Sequence, residues 1–217
     1  MRKLVILSAG LSTPSTTGTL ATAIGEAVGA AVGGRGESME TTTIEVKNLA
    51  VDLAHAMTTG GILSPALEEA VDTMRNADGL VIVTPIFQAS FAGLLKMLLD
   101  VMDKNDLRGI PTLIAATAGT PRHSLALDYA LRPVLTAMHA DVVPTTVFAA
   151  TADFGSSDGA EFTRRIARAA AEIAELMVAT AGSVGGLGAS ASSVRSKTKS
   201  PQDNYTPFED LLNGLGN

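Results

Sequence analysis

A run of apolar residues that ends at a proline constrains the fold of this chain more than any other feature. Residues 79–100 read GLVIVTPIFQASFAGLLKMLLD, and the apolar, mostly β-branched residues 80–83 come directly before Thr84 and Pro85. Such a run predicts a strand that is covered on both faces of a parallel sheet. Because proline cannot donate to a sheet ladder, we expect residues 85–89 to leave the sheet at the carboxyl end of the strand. Ligands bind at that edge of open α/β sheets.

Strand and helix signals alternate along most of the chain. Ser64 is a favourable N-cap, and Pro65 suits the first position of the helix that follows. Strands are predicted at residues 3–8, 42–46, 80–83, 112–117 and 142–149, and helices at 20–32, 65–74, 92–103, 124–139 and 160–181. This order predicts an α/β, doubly wound, five-stranded parallel sheet, most simply a flavodoxin-like one with strand order 2-1-3-4-5.

The last part of the chain differs in composition from the rest. Residues 182–200 are rich in Gly, Ser and Ala, and such a segment buries too little apolar surface to fold alone. We therefore predict one domain at residues 1–181, followed by a linker and C-terminal tail at residues 182–217. Residues 205–212 are amphipathic, and the sequence leaves open whether they dock on protein or fray.

Charge and cysteine content exclude several classes of function. The chain carries 16 basic and 22 acidic residues, a net charge of −6, without a basic stripe, so we expect no nucleic-acid partner. Cysteine is absent, which excludes disulfides, thiolate catalysis and cysteine-ligated metals. His55 and His139 lack ligand spacing, so no metal site is predicted. No apolar run reaches the roughly 20 residues that a bilayer requires, and no signal peptide is evident, so we expect a cytoplasmic protein without membrane contact.

Three loops follow strands near the centre of the predicted sheet, and we expect them to converge. The first, AGLSTPSTTGT at residues 9–19, places hydroxyls just before a helix, whose N-terminal amides favour a phosphate. An ordinary Ser/Thr-rich helix cap explains this loop equally well. The second loop is 85–89 and the third is 117–123, where Gly119 allows close backbone approach or a positive φ but is also typical of a simple turn. No P-loop or GxGxxG motif is present.

The combination of these loops resembles the NADPH-dependent FMN reductase family, in particular the reductase components of two-component flavin monooxygenases of the alkanesulfonate type. The resemblance covers about residues 3–154 and is strongest at 77–100 and at 116–140, ATAGTPRHSLALDYALRPVLTAMHA. It implies FMN as cofactor and NADPH or NADH as hydride donor. It also implies that a luciferase-like flavin-dependent monooxygenase receives the reduced flavin.

The resemblance also assigns residues to a flavin site. It implies phosphate contacts at Ser12, Ser15, Thr16 and Thr17, ribityl and ring contacts at Pro85, Ile86, Phe87 and Gln88, and further ring contacts at Thr117, Ala118, Gly119 and Thr120. The implied chemistry is hydride transfer from nicotinamide C4 to FMN N5, which needs no catalytic side chain.

Two departures from the family pattern bear on how tightly flavin is held. The phosphate loop of these reductases usually carries an arginine, whereas Thr16 and Gly18 stand at the corresponding places here. Phe87 stands where tyrosine is common. A loop without arginine lacks a bidentate, charge-assisted clamp, so we expect FMN to bind as an exchangeable substrate.

Residues beyond the third loop are candidates for supporting roles. Arg122 and His123 are candidates for the NADPH phosphates, although a surface Arg-His pair is usually only solvated charge. Pro133 should kink or bulge the predicted helix at 124–139. In the resembling reductases a tyrosine in a DYALRP-like segment lies near a π-bulge beside the flavin, so Tyr129 is a candidate gate for flavin transfer. A buried tyrosine beside a proline kink is the structural alternative.

The helix predicted at 92–103 bears on assembly. Residues 94–102 are apolar over most of the helix circumference, more than one sheet face covers. We therefore predict a homodimer built on this helix, and the resemblance suggests a homotetramer as a further possibility.

Two other functions stay open at this point. One is an FMN-containing quinone or azo-compound reductase. The other is a non-enzymatic flavin carrier of flavodoxin type, which the lack of Trp and the presence of only two Tyr residues disfavour, because such carriers sandwich the ring between aromatic side chains.

Overall fold

The computed structural model describes residues 1–150 and 159–179 as an α/β fold around one mainly parallel sheet. The strands are β1 (Arg2–Ser8), β2 (Met39–Glu45), β3 (Gly79–Phe87), β4 (Ser90–Phe91), β5 (Pro111–Ala118), β6 (Asp141–Val142) and β7 (Val147–Ala150). The helices are α1 (Thr16–Gly33), α2 (Ala50–Thr58), α3 (Pro65–Arg75), α4 (Gly93–Val101), α5 (Arg132–Ala137) and α6 (Gly159–Ala179). The predicted linker and tail at 182–217 lie outside the described residues.

The sheet has the order β2-β1-β3-β5-β6, with β4 paired antiparallel to β3 and β7 paired parallel to β5. The predicted α/β class and parallel sheet are confirmed, but the described sheet has seven strands rather than five. The predicted strand at 142–149 is divided into β6 and β7, because Pro144 lies between them and cannot donate a ladder hydrogen bond. The other additional strand, β4, folds back on the end of β3.

Apolar side chains pack against both faces of the sheet. One cluster joins β1 and β3 to α1 and α6, and its fully buried members include Leu4, Ile24 and Ile173. The other cluster lies under α2, α3, α4 and α5, with Leu67 and Leu98 fully buried. Burial of each such side chain contributes about 1.5–3 kcal/mol. Ser64 caps α3 as expected, since its hydroxyl accepts a hydrogen bond from the Leu67 N–H at 3.3 Å.

Strand β3 continues through Pro85, so the prediction that the strand ends there is wrong. Pro85 pairs with Thr117 of β5, and the strand runs on to Phe87 before it turns into β4. This pair is the last one in the ladder between β3 and β5. The missing N–H of proline costs little at the end of a ladder, which is why the residue is tolerated.

Helix α4 is partly covered within the chain, and the homodimer predicted on this helix stays a prediction. The sequence reading missed α2, which packs directly on α4 and buries Leu53 and Ala56. On α4, Leu95 and Leu98 are fully buried, and Met97 packs against the same core. Helix α2 therefore accounts for part of the apolar circumference of α4, while Leu94, Met97 and Val101 are only half-buried.

The segment predicted as one helix at 124–139 is broken into shorter pieces. A 3-10 turn (Pro121–His123) leads to a π-helical segment (Leu127–Leu131), and α5 follows with Pro133 in its first turn. The expected bulge is thus confirmed, and it lies just before the proline. No helix in the part of the chain that the structure describes is long and apolar enough to cross a membrane.

The gap between β6 and β7 is held by side chains from neighbouring helices. The Arg132 guanidinium donates hydrogen bonds to the carbonyls of Val142, Val143 and Pro144 at 3.4, 3.0 and 3.2 Å. The Thr145 N–H donates to the Glu172 carboxylate at 2.8 Å. Backbone groups that no strand pairs are thereby satisfied.

Candidate functional site

The three predicted loops meet at the carboxyl edge of the sheet. Strand β3 lies between β1 and β5, so the segments that leave these strands are neighbours. The hydroxyls of Thr17 and Thr117 are 2.9 Å apart and hydrogen-bonded, and both residues are buried. This contact joins the start of α1 to the end of β5 across β3, so the first and third loops are fixed to each other.

The first loop is tightly folded around the N-terminus of α1. Ser15 is the N-cap residue, and its hydroxyl accepts a hydrogen bond from the Gly18 N–H at 3.0 Å. A Cβ at Gly10 would lie 2.3 Å from the Ser15 Oγ, so the loop closes only over a glycine. The first turn of α1 contains no acidic residue that would compete with an anion.

The candidate phosphate residues differ in how they lie in this loop. Ser12 and Thr16 are exposed, and Ser15 is half-buried. Thr17 is buried, and its hydroxyl is engaged by Thr117. The geometry therefore leaves Ser12 and Thr16 accessible to a ligand and places Thr17 beneath them as a support.

A cation that the sequence reading missed lies beside this loop. The Lys47 ammonium donates a hydrogen bond to the Thr13 hydroxyl at 3.2 Å. Lys47 belongs to the 3-10 turn Val46–Leu49, which follows β2 directly, and β2 pairs with β1 up to Glu45 opposite Ser8. No local motif marks this lysine. The predicted pairing of the second strand with the first is the sequence feature that could have placed Lys47 beside the loop.

The second loop is a tight hairpin rather than an open segment. Phe87 pairs with Ser90, and the two residues between them, Gln88 and Ala89, both have left-handed backbones with φ of 48° and 64°. Turns of this kind usually carry Asn-Gly, because side chains disfavour positive φ. The hairpin leaves the Phe87 side chain 48% exposed at the edge of the site.

Thr84 holds the base of this hairpin. Its hydroxyl accepts a hydrogen bond from the Ala92 N–H at 2.9 Å and donates one to the Pro85 carbonyl at 3.0 Å. Thr84 is fully buried, while Pro85 and Ile86 are half-buried and Gln88 is exposed. The accessible surface of the second loop is therefore its tip.

The third loop rises from a buried threonine to an exposed glycine. Thr117 is buried, Ala118 is half-buried, and Gly119 and Thr120 are exposed. Gly119 does not have a positive φ, so that explanation for a glycine at this position is wrong. A Cβ at this position would meet no protein atom within 4 Å, so the surface beside its backbone is open.

A cleft of about 450 Å³ lies between the hairpin tip and the π-helical segment. It is lined by Ala89, Arg122, His123, Leu125, Ala126, Tyr129 and Ala130. Tyr129 is 78% exposed and Leu125 is 63% exposed, so the buried-tyrosine alternative is wrong. A larger cleft of about 680 Å³, which includes Lys3 and Asp78, lies at the opposite edge, by the amino ends of the strands, and is remote from these loops.

Among the described residues, Arg122 and His123 form no ion pair or hydrogen bond through their side chains. They are therefore available to an anionic ligand in the cleft. Within the same residues, no group of three or more His, Cys, Asp or Glu side chains is placed to hold a metal ion.

The chain matches a known family over most of its length. The family model for NADPH-dependent FMN reductase matches residues 2–155. The chain belongs to this family. It is accordingly an NAD(P)H:FMN oxidoreductase, with FMN and a nicotinamide nucleotide as the molecules it uses.

Individual relatives agree with this assignment. The FMN reductase (NADPH) of Pseudomonas aeruginosa is 35% identical over 70% of this chain and 78% of its own length. A solved oxidoreductase of Corynebacterium diphtheriae is 56% identical, with a TM-score of 0.80 over 82% of this chain and 98% of that one. An apo NADH:FMN oxidoreductase, EMOB, is 36% identical, with a TM-score of 0.65 over 78% of this chain and 89% of that one.

A more distant structure supports the fold alone. A WrbA-like flavodoxin of Agrobacterium tumefaciens has 15% identity and a TM-score of 0.56 over 82% of this chain and 99% of that one. The fold is therefore flavodoxin-like.

Proposed function

We propose that this reductase binds FMN across the three loops, reduces it with NAD(P)H and releases it to a partner monooxygenase. The observation that carries the proposal is the hydrogen bond between Thr17 and Thr117, which fixes a hydroxyl-rich helix N-terminus beside an open backbone surface at the carboxyl edge of the sheet. A phosphate and a flat ring on one ligand require such a pair of surfaces. The Gly10 cradle and the lack of acidic residues in the first turn of α1 fit a phosphate.

The proposed contacts divide among the loops. Ser12, Ser15 and Thr16, with the first amides of α1, bind the phosphate, and Thr17 supports them from below. The hairpin residues Pro85, Ile86, Phe87 and Gln88 and the third-loop residues Thr117, Ala118, Gly119 and Thr120 border the ribityl chain and ring.

The redox chemistry is hydride transfer from nicotinamide C4 to FMN N5, which the bound cofactors supply. The protein's share is orientation, and the rigid parts of the site supply it. Thr84 holds the base of the hairpin, and Thr117 holds the third loop against α1. No side-chain nucleophile or general acid is needed.

Recognition of the nucleotide is assigned to the cleft. Arg122 and His123 border it and are the proposed contacts for NADPH phosphates. Tyr129, on the π-helical segment, lines the same cleft and is the proposed gate for exchange of flavin. Both assignments rest on residues that line this cleft, of which Arg122 and Tyr129 are exposed and His123 is half-buried.

We also propose the strand order, the domain bounds, the assembly and the partner of the protein. Counting β6 and β7 as one interrupted strand gives a five-stranded parallel core in the order 2-1-3-4-5. Residues 1–181 form the reductase domain and 182–217 an appended linker and tail. The active form is a homodimer or homotetramer, and a luciferase-like flavin-dependent monooxygenase accepts the reduced FMN. Residues 9–19 contain no arginine, so the phosphate lacks a bidentate clamp, and this supports exchangeable flavin.

The deciding experiment is NADPH oxidation under air by purified, flavin-stripped protein with and without excess FMN, followed by filtration to measure bound flavin. The proposal expects oxidation that depends on added FMN, saturates with it and leaves little flavin on the protein. Tightly held FMN with turnover only on a quinone or azo dye would indicate the alternative reductase. Absence of NAD(P)H oxidation would leave a flavin carrier.

A further inference from the structure

The phosphate loop contains no charged residue of its own. Residues 9–19 consist of Ala, Gly, Leu, Ser, Thr and Pro. Hydroxyls and helix amides offer a phosphate neutral donors only, whereas a cation adds the attraction between opposite charges to its hydrogen bond. A loop of this composition therefore depends on another element of the fold for positive charge.

The parallel pairing of β1 and β2 brings such a charge to the loop. Ser8 and Glu45 are partners at the carboxyl ends of the two strands, and Lys47 comes two residues after Glu45. Its ammonium reaches the loop and donates to the Thr13 hydroxyl at 3.2 Å. The position of Lys47 is therefore set by sheet register rather than by the loop sequence.

The charge of Lys47 is available to a ligand. No carboxylate in residues 1–150 or 159–179 forms an ion pair with it. Glu45, the nearest acidic residue in the chain, instead accepts a hydrogen bond from the Ser8 hydroxyl at 3.2 Å. An ammonium has three donors, and the contact with Thr13 uses one of them. Two donors remain for phosphate oxygens.

We propose that Lys47 supplies, from outside the phosphate loop, the cation that binds the 5′-phosphate of FMN and so makes the site select FMN over riboflavin. The inference rests on the proposed flavin site. FMN and riboflavin share the isoalloxazine ring and ribityl chain and differ in the phosphate. A group that acts only on the phosphate therefore changes the affinity for FMN and leaves the affinity for riboflavin unchanged.

The test is a titration of FMN and of riboflavin, each followed by flavin fluorescence, with the wild-type chain, Lys47→Met and Lys47→Arg in the absence of nucleotide. We expect Lys47→Met to weaken FMN binding about tenfold or more, the scale of one lost hydrogen bond to a charged group. Riboflavin binding should not change. Lys47→Arg retains the charge and should keep most of the affinity. Added salt should weaken FMN binding more in the wild type than in Lys47→Met.

Lys3→Met is the matched control, because it removes the same charge from an exposed lysine at the amino end of β1. It should leave both affinities unchanged. If Lys47→Met binds FMN as the wild type does, or if FMN and riboflavin binding fall together, the role of Lys47 is refuted while the flavin site stands. If the wild-type chain binds neither flavin, the proposed site itself is wrong, and the role of Lys47 with it.

Discussion

Thr17 and Thr117 share a buried hydrogen bond of 2.9 Å that ties the start of α1 to the end of β5. Removal of one hydroxyl leaves the other buried without a partner, which costs about 1–3 kcal/mol. We expect Thr117→Val to lower the free energy of unfolding by this amount and to weaken FMN binding. Urea denaturation and flavin titration measure the two effects.

A double-mutant cycle separates this contact from general packing. Thr17→Val combined with Thr117→Val should cost less than the sum of the two single changes, because neither polar group is then left unpaired. Thr22→Val is the matched control, since the Thr22 hydroxyl donates a hydrogen bond to the Gly18 carbonyl on the exposed face of the same helix. Its effect should stay within about 0.5 kcal/mol. Additive single changes would contradict a direct bond.

The hydroxyl of Thr84, rather than its methyl group, should stabilise the hairpin. Thr84→Val leaves the Ala92 N–H without its acceptor and should cost about 1–3 kcal/mol. Thr84→Ser retains the hydroxyl and should cost less. Chemical denaturation compares the two variants. A serine variant as unstable as the valine variant would show that the methyl group, not the hydrogen bond, holds the hairpin.

The turn between β3 and β4 contains an alanine with φ of 64°, a conformation that costs non-glycine residues about 1–2 kcal/mol. Ala89→Gly removes this cost, but glycine loses more conformational entropy on folding than alanine does. The net effect should be a stabilisation of about 0.5–1 kcal/mol. The measurement is the midpoint of urea unfolding. The same change in a helix, Ala30→Gly in α1, should instead destabilise by about 1 kcal/mol. Destabilisation by both changes would be evidence against a left-handed Ala89.

Gly10 should not accept a larger side chain. In Gly10→Ala the new Cβ would lie 2.3 Å from the Ser15 Oγ and displace that hydroxyl from the Gly18 N–H, with the loss of an N-cap worth about 1 kcal/mol. We expect lower stability and weaker FMN binding, measured by denaturation and flavin titration. Gly33→Ala in α1, where a Cβ meets nothing within 4 Å, should leave FMN binding unchanged.

Arg122 should distinguish NADPH from NADH if it binds the additional phosphate. Arg122→Ala should raise KM for NADPH about tenfold, with little change in kcat or in KM for NADH, because one hydrogen bond to a charged group is lost. Steady-state kinetics with both nucleotides test this. Arg108→Ala, which removes an exposed arginine paired with Asn105, is the control and should change neither KM. Equal increases in KM for both nucleotides would show that Arg122 contacts a part that NADPH and NADH share rather than the additional phosphate.

The strands and the main helices could be predicted because their signals are local. The apolar run at 80–83, the Ser64 cap and the bulge beside Pro133 are each explained by a few consecutive residues. Helix α2 was missed because AVDLAHAMT is short and carries no capping residue that marks its start. The extension of β3 through Pro85 was missed because a proline interrupts a strand only where its N–H would be needed for a ladder hydrogen bond. The strand pairing, which the sequence does not show, places Pro85 at the end of the ladder with β5.

The site was predictable in outline but not in its contacts. Loop positions follow from strand order, so convergence of the three loops could be foreseen. The expected pairing of the first two strands places Lys47 near the loop, but its contact with Thr13 could not be foreseen, nor could the bond between Thr17 and Thr117. Each contact joins residues that are far apart in the chain and depends on register and side-chain reach. The left-handed pair at Gln88 and Ala89 also gives no sequence signal, since neither is a glycine or asparagine.

The bonds that Arg132 and Glu172 make between β6 and β7 bear on the behaviour of the protein at high concentration. Within residues 1–150 and 159–179, this side of the sheet ends in a broken strand, and an open strand edge is a template on which another chain can pair and aggregate. The carbonyls of Val142, Val143 and Pro144 and the N–H of Thr145 are already occupied by side chains. An incoming strand would find no continuous row of free backbone groups along residues 142–145, which disfavours pairing with another chain there.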